Sequence, residues 1–209
     1  MTEVVEVRDK AMQPTYEPKS NMNVKTLQTL VMSIISLMTV MAATAAGQSP
    51  ALSEYQMTRE AEIALARSAA PANVSSRATI KVLTPSGYKI AHEGDNGFVC
   101  MVMRGWAAPT YTPAQFRNLV YDATVRAPIC FDPGAARTVV PYYELRSKLG
   151  MEGKSPDQIA EAVQRAYAKG DLPKRDTVSF AYMWSADQNL GTGIGHWHPH
   201  MMIFAPYYD

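Results

Sequence analysis

Three of the four histidines of this 209-residue chain lie within five residues, in the segment "GIGHWHPHMMIF" from Gly193 to Phe204. His196, His198 and His200 are separated by single residues, and in an extended chain such residues project from one face. The proline between the last two favours that geometry, because a residue before proline is pushed toward extended backbone. Imidazole nitrogens bind Zn²⁺ and Cu²⁺, so the spacing predicts a divalent-metal or copper site. The same alternation directs Trp197 toward the core.

Such a site needs a ligand from elsewhere, because three histidines along one strand seldom all reach one ion. His92, beside Glu93, is the remaining histidine and is the expected fourth ligand. The ion would serve either a binding module for metal or small ligands, or a metal-dependent periplasmic hydrolase or lyase. A third alternative has no metal: the histidines bond backbone carbonyls, and the chain is a structural or interaction domain of the cell envelope. The sequence identifies no catalytic residue and leaves open whether the chain is an enzyme.

An uncharged stretch, "LQTLVMSIISLMTVMAATAAG", runs from Leu27 to Gly47, just after Lys25. A positive start, an apolar centre and a small-residue end are typical of a secretory signal peptide. We therefore expect a signal peptide over residues 22–46 and a misassigned extension over residues 1–21, with the mature chain periplasmic or secreted. The alternative is an inner-membrane anchor through residues 27–46, which are long enough to span a bilayer.

The only two cysteines are Cys100 and Cys130. An even count in an exported protein favours a disulfide between them. The alternative is a pair of buried free thiols.

The composition is that of a globular protein, 47% hydrophobic and 19% charged. The net charge of +1 gives no electrostatic reason to expect nucleic acid as a partner. The expected partner is a metal ion, Zn or Cu, or a small ligand, and membrane contact is expected only through an uncleaved signal segment. The segment "GTGIGH" lacks the third glycine of a dinucleotide-binding fingerprint, so no organic cofactor is expected. The oligomeric state is not indicated.

Periodicity and turn residues predict one α+β domain over residues 58–209, after a lead-in over 47–57. A helix is expected over 58–70, a three-strand meander over 79–83, 88–92 and 97–104, and an irregular stretch over 106–134. Helices over 141–149 and 155–170 precede two C-terminal strands at 178–185 and 200–208. The meander and the C-terminal strands would form one antiparallel sheet with helices packed on one side.

Three short blocks carry a resemblance: Asn96-Gly97-Phe98-x-Cys100, Ile129-Cys130-x-Asp132, and His198-Pro199-His200 with its aromatic tail. Together they resemble an uncharacterised family of small exported bacterial proteins, over roughly residues 58–209. The chain departs from that pattern by a longer segment between the first two blocks. The resemblance implies export and a shared domain, and it implies no activity.

Overall fold

The computed structural model describes residues 50–107, 121–191 and 194–206. The chain divides into two units, residues 1–47 and 48–209. The predicted extension and signal segment belong to the first unit and lie outside the described residues. Within the part of the chain that the structure describes, none of the helices has the length and apolar character that crossing a bilayer requires.

The described part of the second unit combines helices with one mixed, mostly antiparallel sheet, so the α+β prediction is confirmed at that level. The helices are α1 Leu52–Tyr55, α2 Arg59–Arg67, α3 Ala72–Ser75, α4 Pro133–Thr138, α5 Val140–Met151 and α6 Pro156–Lys169, with a 3-10 turn at Gly105–Ala107. The strands are β1 Thr79–Thr84, β2 Gly87–His92, β3 Val99–Met103, β4 Ala127–Phe131, β5 Ser179–Met183 and β6 His200–Phe204.

The strand order is β2-β1-β3-β4-β5-β6, and this order corrects the predicted meander. β3 pairs with β1 rather than β2, and the pairing is parallel, with Ile80 beside Cys100. The physical reason lies in the side chains. β3 is apolar on both faces and is almost wholly buried, so it needs neighbours on both sides. β2 carries exposed Lys89 and His92 and takes the edge.

The prediction of an irregular stretch over 106–134 is wrong at β4, whose five residues are all buried between β3 and β5. Pro128 argued against a central strand, because proline cannot donate to a sheet ladder. The structure accommodates it because β5 pairs only with Cys130 and Phe131, beyond the proline. Pro128 itself lies opposite Val102 of β3.

Helices cover both faces of the sheet, which corrects the prediction that they pack on one side. On one face, α2 packs over β1, β3 and β4, where Ala66 and Ala69 meet Ile80 and Cys100. On the other, α4 and α5 pack over β4, β5 and β2, around Phe131. β3 requires cover on both sides, because the residues on both of its faces are apolar.

The predicted disulfide partners lie directly opposite each other, Cys100 on β3 and Cys130 on β4. Their Cα atoms are 3.9 Å apart and the two sulfur atoms are bonded. Both residues are fully buried under α2. The disulfide therefore joins the two central strands inside the core.

Candidate functional site

The histidine segment only partly adopts the extended geometry that the metal hypothesis requires. β6 begins at His200, whereas His196 makes an isolated bridge to Asn189 and residues 197–199 form no strand. Trp197 is 45% exposed, so the prediction that it points into the core is wrong. Because the alternation does not continue through this segment, the three histidines do not form one row along a strand.

His92 is not brought to the other histidines. It lies on β2, at one edge of the sheet, and His200 lies on β6, at the opposite edge. One row of the sheet's register runs across all six strands, through His92, Ile80, Cys100, Cys130, Tyr182 and Met201. Five strand spacings of roughly 4.8 Å separate its two ends by about 24 Å, too far for a shared ion. The structure therefore does not bring His92 to the other three histidines.

The histidines are held through the backbone by a buried glutamine. The Nε2 atom of Gln188 lies 3.1 Å from the carbonyl oxygen of Trp197 and 3.0 Å from that of His198. The His198 carbonyl also lies 2.7 Å from Nδ1 of His200, so that ring nitrogen donates and carries the proton. The described residues contain no group of three His, Cys, Asp or Glu side chains arranged to hold a metal.

A different feature dominates this end of the sheet. Of the seven large apolar side chains that are exposed among the described residues, six lie between positions 178 and 203, and only Ile90 lies elsewhere. Trp184, which follows β5, and Met201 and Ile203 of β6 are exposed, and with the partly buried Phe180 and Tyr182 of β5 they form one surface, here called the open patch.

The sheet register places these side chains together. Tyr182 lies opposite Met201, and Phe180 lies opposite Ile203, and directly opposed residues share a face. The alternate residues, such as Ala181 and Met183, are buried on the other face. An antiparallel pair with one face on the core ordinarily presents polar side chains to water. Here the outward positions are apolar: Trp184 is 46% exposed and Ile203 is 65% exposed.

The aromatic rings of the open patch pack edge to face. The ring planes of Phe180 and Tyr182 are at 85°, and those of Tyr182 and Trp184 are at 76°. Phe98, which precedes β3, lies against the inner two, with ring centroids 6.2 Å from Phe180 and 6.3 Å from Tyr182. Rings turned in this way brace one another but form no flat platform. Along β5, the successive rings of Phe180, Tyr182 and Trp184 offer a sugar or base no continuous plane, whereas Phe98 and Tyr182 are near parallel at 21°.

The end of α2 fixes one side of the open patch. The backbone N–H of Trp184 donates to the carbonyl of Ala69 at 3.0 Å. The hydroxyl groups of Ser68 and Ser185 are 2.7 Å apart. These contacts hold the end of β5 against the helix that covers the disulfide, so the patch is backed by rigid structure.

A buried ion pair is the second chemical feature that the sequence reasoning missed. Arg104, fully buried, lies 2.9 Å from Oε1 of Glu62, which is 1% exposed. The same guanidinium donates to the carbonyls of Tyr55 and Val102, at 2.7 and 2.6 Å. Burial raises the pKa of Glu62, and the positive charge of Arg104 opposes that rise. The pair joins α1, α2, β1 and β3, which is a structural role.

Comparison with protein-family models, with curated proteins and with solved structures finds no match to this chain.

The sequence carried one signal for the open patch. In "VSFAYMWS" every second residue is large and apolar, and in "HMMIF" all four residues from Met201 to Phe204 are. Such a strand is typical of a sheet covered on both faces. The structure covers only one face of β6, which leaves Met201 and Ile203 exposed.

Proposed function

We propose that this chain is an exported interaction domain that binds an extended, apolar segment of a protein partner along β6. The observation that carries the proposal is the open patch beside an edge strand without formal charge. A partner strand would pair its backbone with β6, and its side chains would lie beside Met201 and Ile203. This mode of recognition combines main-chain hydrogen bonds with apolar contacts.

The chemistry of the surface favours a protein partner over other classes. The chain has no Asp, Glu, Lys or Arg between Asp187 and Asp209, so the surface offers no formal charge to a phosphate backbone or an ionic ligand. The crossed rings of Phe180, Tyr182 and Trp184 disfavour a stacked sugar or base. An exposed cluster of apolar side chains on a rigid sheet is typical of protein interaction sites.

Export is part of the proposal and rests on two observations. The stretch from Leu27 to Gly47 has the character of a signal peptide. The disulfide between Cys100 and Cys130 is of a kind that persists in oxidising compartments. The intact mass of protein recovered from the periplasm of an expressing bacterium tests this, and cleavage near Ala45 or Ala46 is expected. A recovered chain that still contains residues 27–43 would contradict it.

A synthetic peptide tests the binding. The probe alternates valine and threonine over eight residues and ends in lysines for solubility. Calorimetry and the fluorescence of the exposed tryptophans, Trp184 and Trp197, report binding to the exported protein. A second peptide of the same sequence, N-methylated at alternate residues, keeps the side chains and loses the backbone donors of one edge. Binding of the first peptide alone is expected.

Two matched variants locate the binding site. Ile203→Lys places a charge on β6, and Ile90→Lys makes the same change on β2 at a comparably exposed position, 65% against 47%. The first variant is expected to weaken peptide binding at least tenfold, and the second to leave it unchanged. Equal binding by all three proteins, or equal binding of the N-methylated peptide, would refute strand addition at β6.

A further inference from the structure

The two edges of the sheet are treated differently, and this difference indicates what pairs with β6. At the β2 edge, the chain carries Lys89, and the register with β1 shifts between Ile80 and Lys81. The guanidinium of Arg59 donates to the carbonyl of Ala91 at 3.0 Å, so a neighbouring side chain occupies that acceptor. A charged residue, an irregular register and a covered acceptor all discourage pairing with another strand.

The β6 edge has none of these devices within the described residues. His200–Phe204 contains no proline and no formally charged residue, and its register with β5 is continuous from Ser179 to Met183. β6 is the last strand in the sheet order, so no other described strand pairs with the main-chain groups on its outer side. A regular, apolar edge of this kind is a template for another strand.

We infer that the partner strand at this edge is β6 of a second copy of the chain, in an antiparallel arrangement about a two-fold axis. This inference rests on the proposed function and names its partner. The register that overlaps all five residues puts Met202 on the axis. Met201 of each copy then lies opposite Ile203 of the other, on the face of the open patch.

Charge supports a second copy as the occupant. A homodimer brings two copies of one surface together, so a surface that carried formal charge of a single sign would repel its copy. The chain carries no Asp, Glu, Lys or Arg from residue 188 to residue 208. The net charge of the whole chain is only +1, so long-range repulsion between two copies is small.

The interface is small, which sets the expected affinity. Pairing of two five-residue strands buries the backbone edge and the contacts between Met201 and Ile203. This is less than the roughly 800 Å² per partner of a standard stable interface. The dimer is therefore expected to be reversible, with a dissociation constant in the micromolar range or weaker.

Sedimentation equilibrium of the exported protein, from low micromolar to near-millimolar concentration, tests the inference. The wild type and Ile90→Lys are expected to show the same monomer–dimer equilibrium. Met201→Lys and Ile203→Glu, each at an exposed position, are expected to weaken it at least tenfold. The double variant M201K/I203E places a lysine opposite a glutamate twice across the axis and is expected to recover at least half of the lost free energy of association. Circular dichroism of every variant confirms that the fold is retained.

Each outcome decides the matter. A wild type that stays monomeric at every concentration overturns self-association, and if it still binds the valine–threonine peptide, the proposed function stands. Dimerisation that the single variants do not change, or that Ile90→Lys weakens equally, also overturns the inference. Failure of the double variant to recover affinity, with both single variants weakened, refutes the antiparallel register centred on Met202. If the wild type neither binds the peptide nor forms a dimer, both proposals are refuted.

Discussion

Glu62 of α2 and Arg104, at the end of β3, form an ion pair in which a carboxylate oxygen and a guanidinium nitrogen are 2.9 Å apart and both side chains are buried. Oε1 of Glu62 also accepts the backbone N–H of Leu83 at 2.9 Å. The pair therefore connects the helix that covers the disulfide to two neighbouring strands. Its burial makes each partner dependent on the other, because an isolated charge in a core is costly.

Glu62→Gln is expected to lower the free energy of unfolding by about 3–5 kcal/mol, because it leaves the Arg104 charge uncompensated in the core. Glu161→Gln is the matched control, since Glu161 pairs with Arg165 at 3.4 Å with both side chains 61% exposed. That change is expected to cost less than about 0.5 kcal/mol. Urea denaturation measures both, and a Glu62→Gln variant as stable as the control would contradict the structural role of the pair.

This ion pair also shows why periodicity alone selects the wrong face of α2. Ala61, Ala64, Leu65 and Ala69 form an apolar stripe at helical spacing, whereas the structure buries Glu62, Ala66 and Ala69. Both sets follow helical spacing, and a rule that treats glutamate as polar selects the wrong one. Only the partner, 42 positions along the chain, makes the buried glutamate acceptable, and periodicity cannot reveal such a partner.

Local signals predicted the elements that depend on local chemistry. α6 begins after Ser155, whose hydroxyl accepts the backbone N–H of Gln158, and it ends at Gly170 with φ of 80°, in agreement with the helix expected over 155–170. The order of strands was not predictable in this way. β3 joins β1 rather than β2 because of long-range burial, and β4 was missed because Pro128 conceals a strand that pairs fully on one side only.

The hydroxyl of Tyr88 leads to a prediction about alkaline pH. It is buried and donates to the carbonyl of Val102 at 2.6 Å, and burial raises its pKa above the usual value of 10.0. Above pH 10 the unfolded chain loses this proton while the folded chain retains it, so stability falls as pH rises. Tyr88 alone is expected to contribute about 1.4 kcal/mol to the loss at pH 11, and burial also raises the pKa of Tyr55 and Tyr121, which add to it. Denaturant unfolding at pH 8 and pH 11 measures it.

Tyr88→Phe is the control for that measurement. The variant is expected to be less stable than the wild type at pH 8, because it lacks the hydrogen bond to Val102. It should lose less stability than the wild type between pH 8 and pH 11, because one buried phenol no longer titrates. An identical loss in both proteins would show that this hydroxyl does not contribute to the alkaline dependence.

The disulfide between Cys100 and Cys130 closes a loop with a sequence separation of 30. Replacement of both cysteines by alanine is expected to cost about 3–4 kcal/mol, chiefly through the greater freedom of the unfolded chain. Comparison of denaturant midpoints measures this cost. Alkylation of the unfolded, unreduced protein is expected to add no mass, and the same treatment after reduction is expected to modify two thiols. Two modified thiols without reduction would mean that the bond is absent.

If the histidines bind metal, their removal should lower the affinity of the protein for Zn²⁺ and Cu²⁺. The structure leads us to expect that this loss of affinity is small. His200 directs Nδ1 to the carbonyl of His198, an arrangement that also occurs around metal-bound histidines, so that contact alone does not decide the matter. The structure does not align the three histidines, because residues 197–199 lie outside β6, and it places His92 at the opposite edge of the sheet. Titration of metal-free protein with Zn²⁺ and Cu²⁺ is therefore expected to give equally weak affinity in the wild type and in the double variant H198A/H200A.

A hundredfold loss of metal affinity in the double variant would restore the metal site, with the segment closing around the ion on binding. The variant Ile203→Glu, whose histidines are intact and in which dimerisation is expected to be weakened, separates that result from any change caused by dissociation of the dimer.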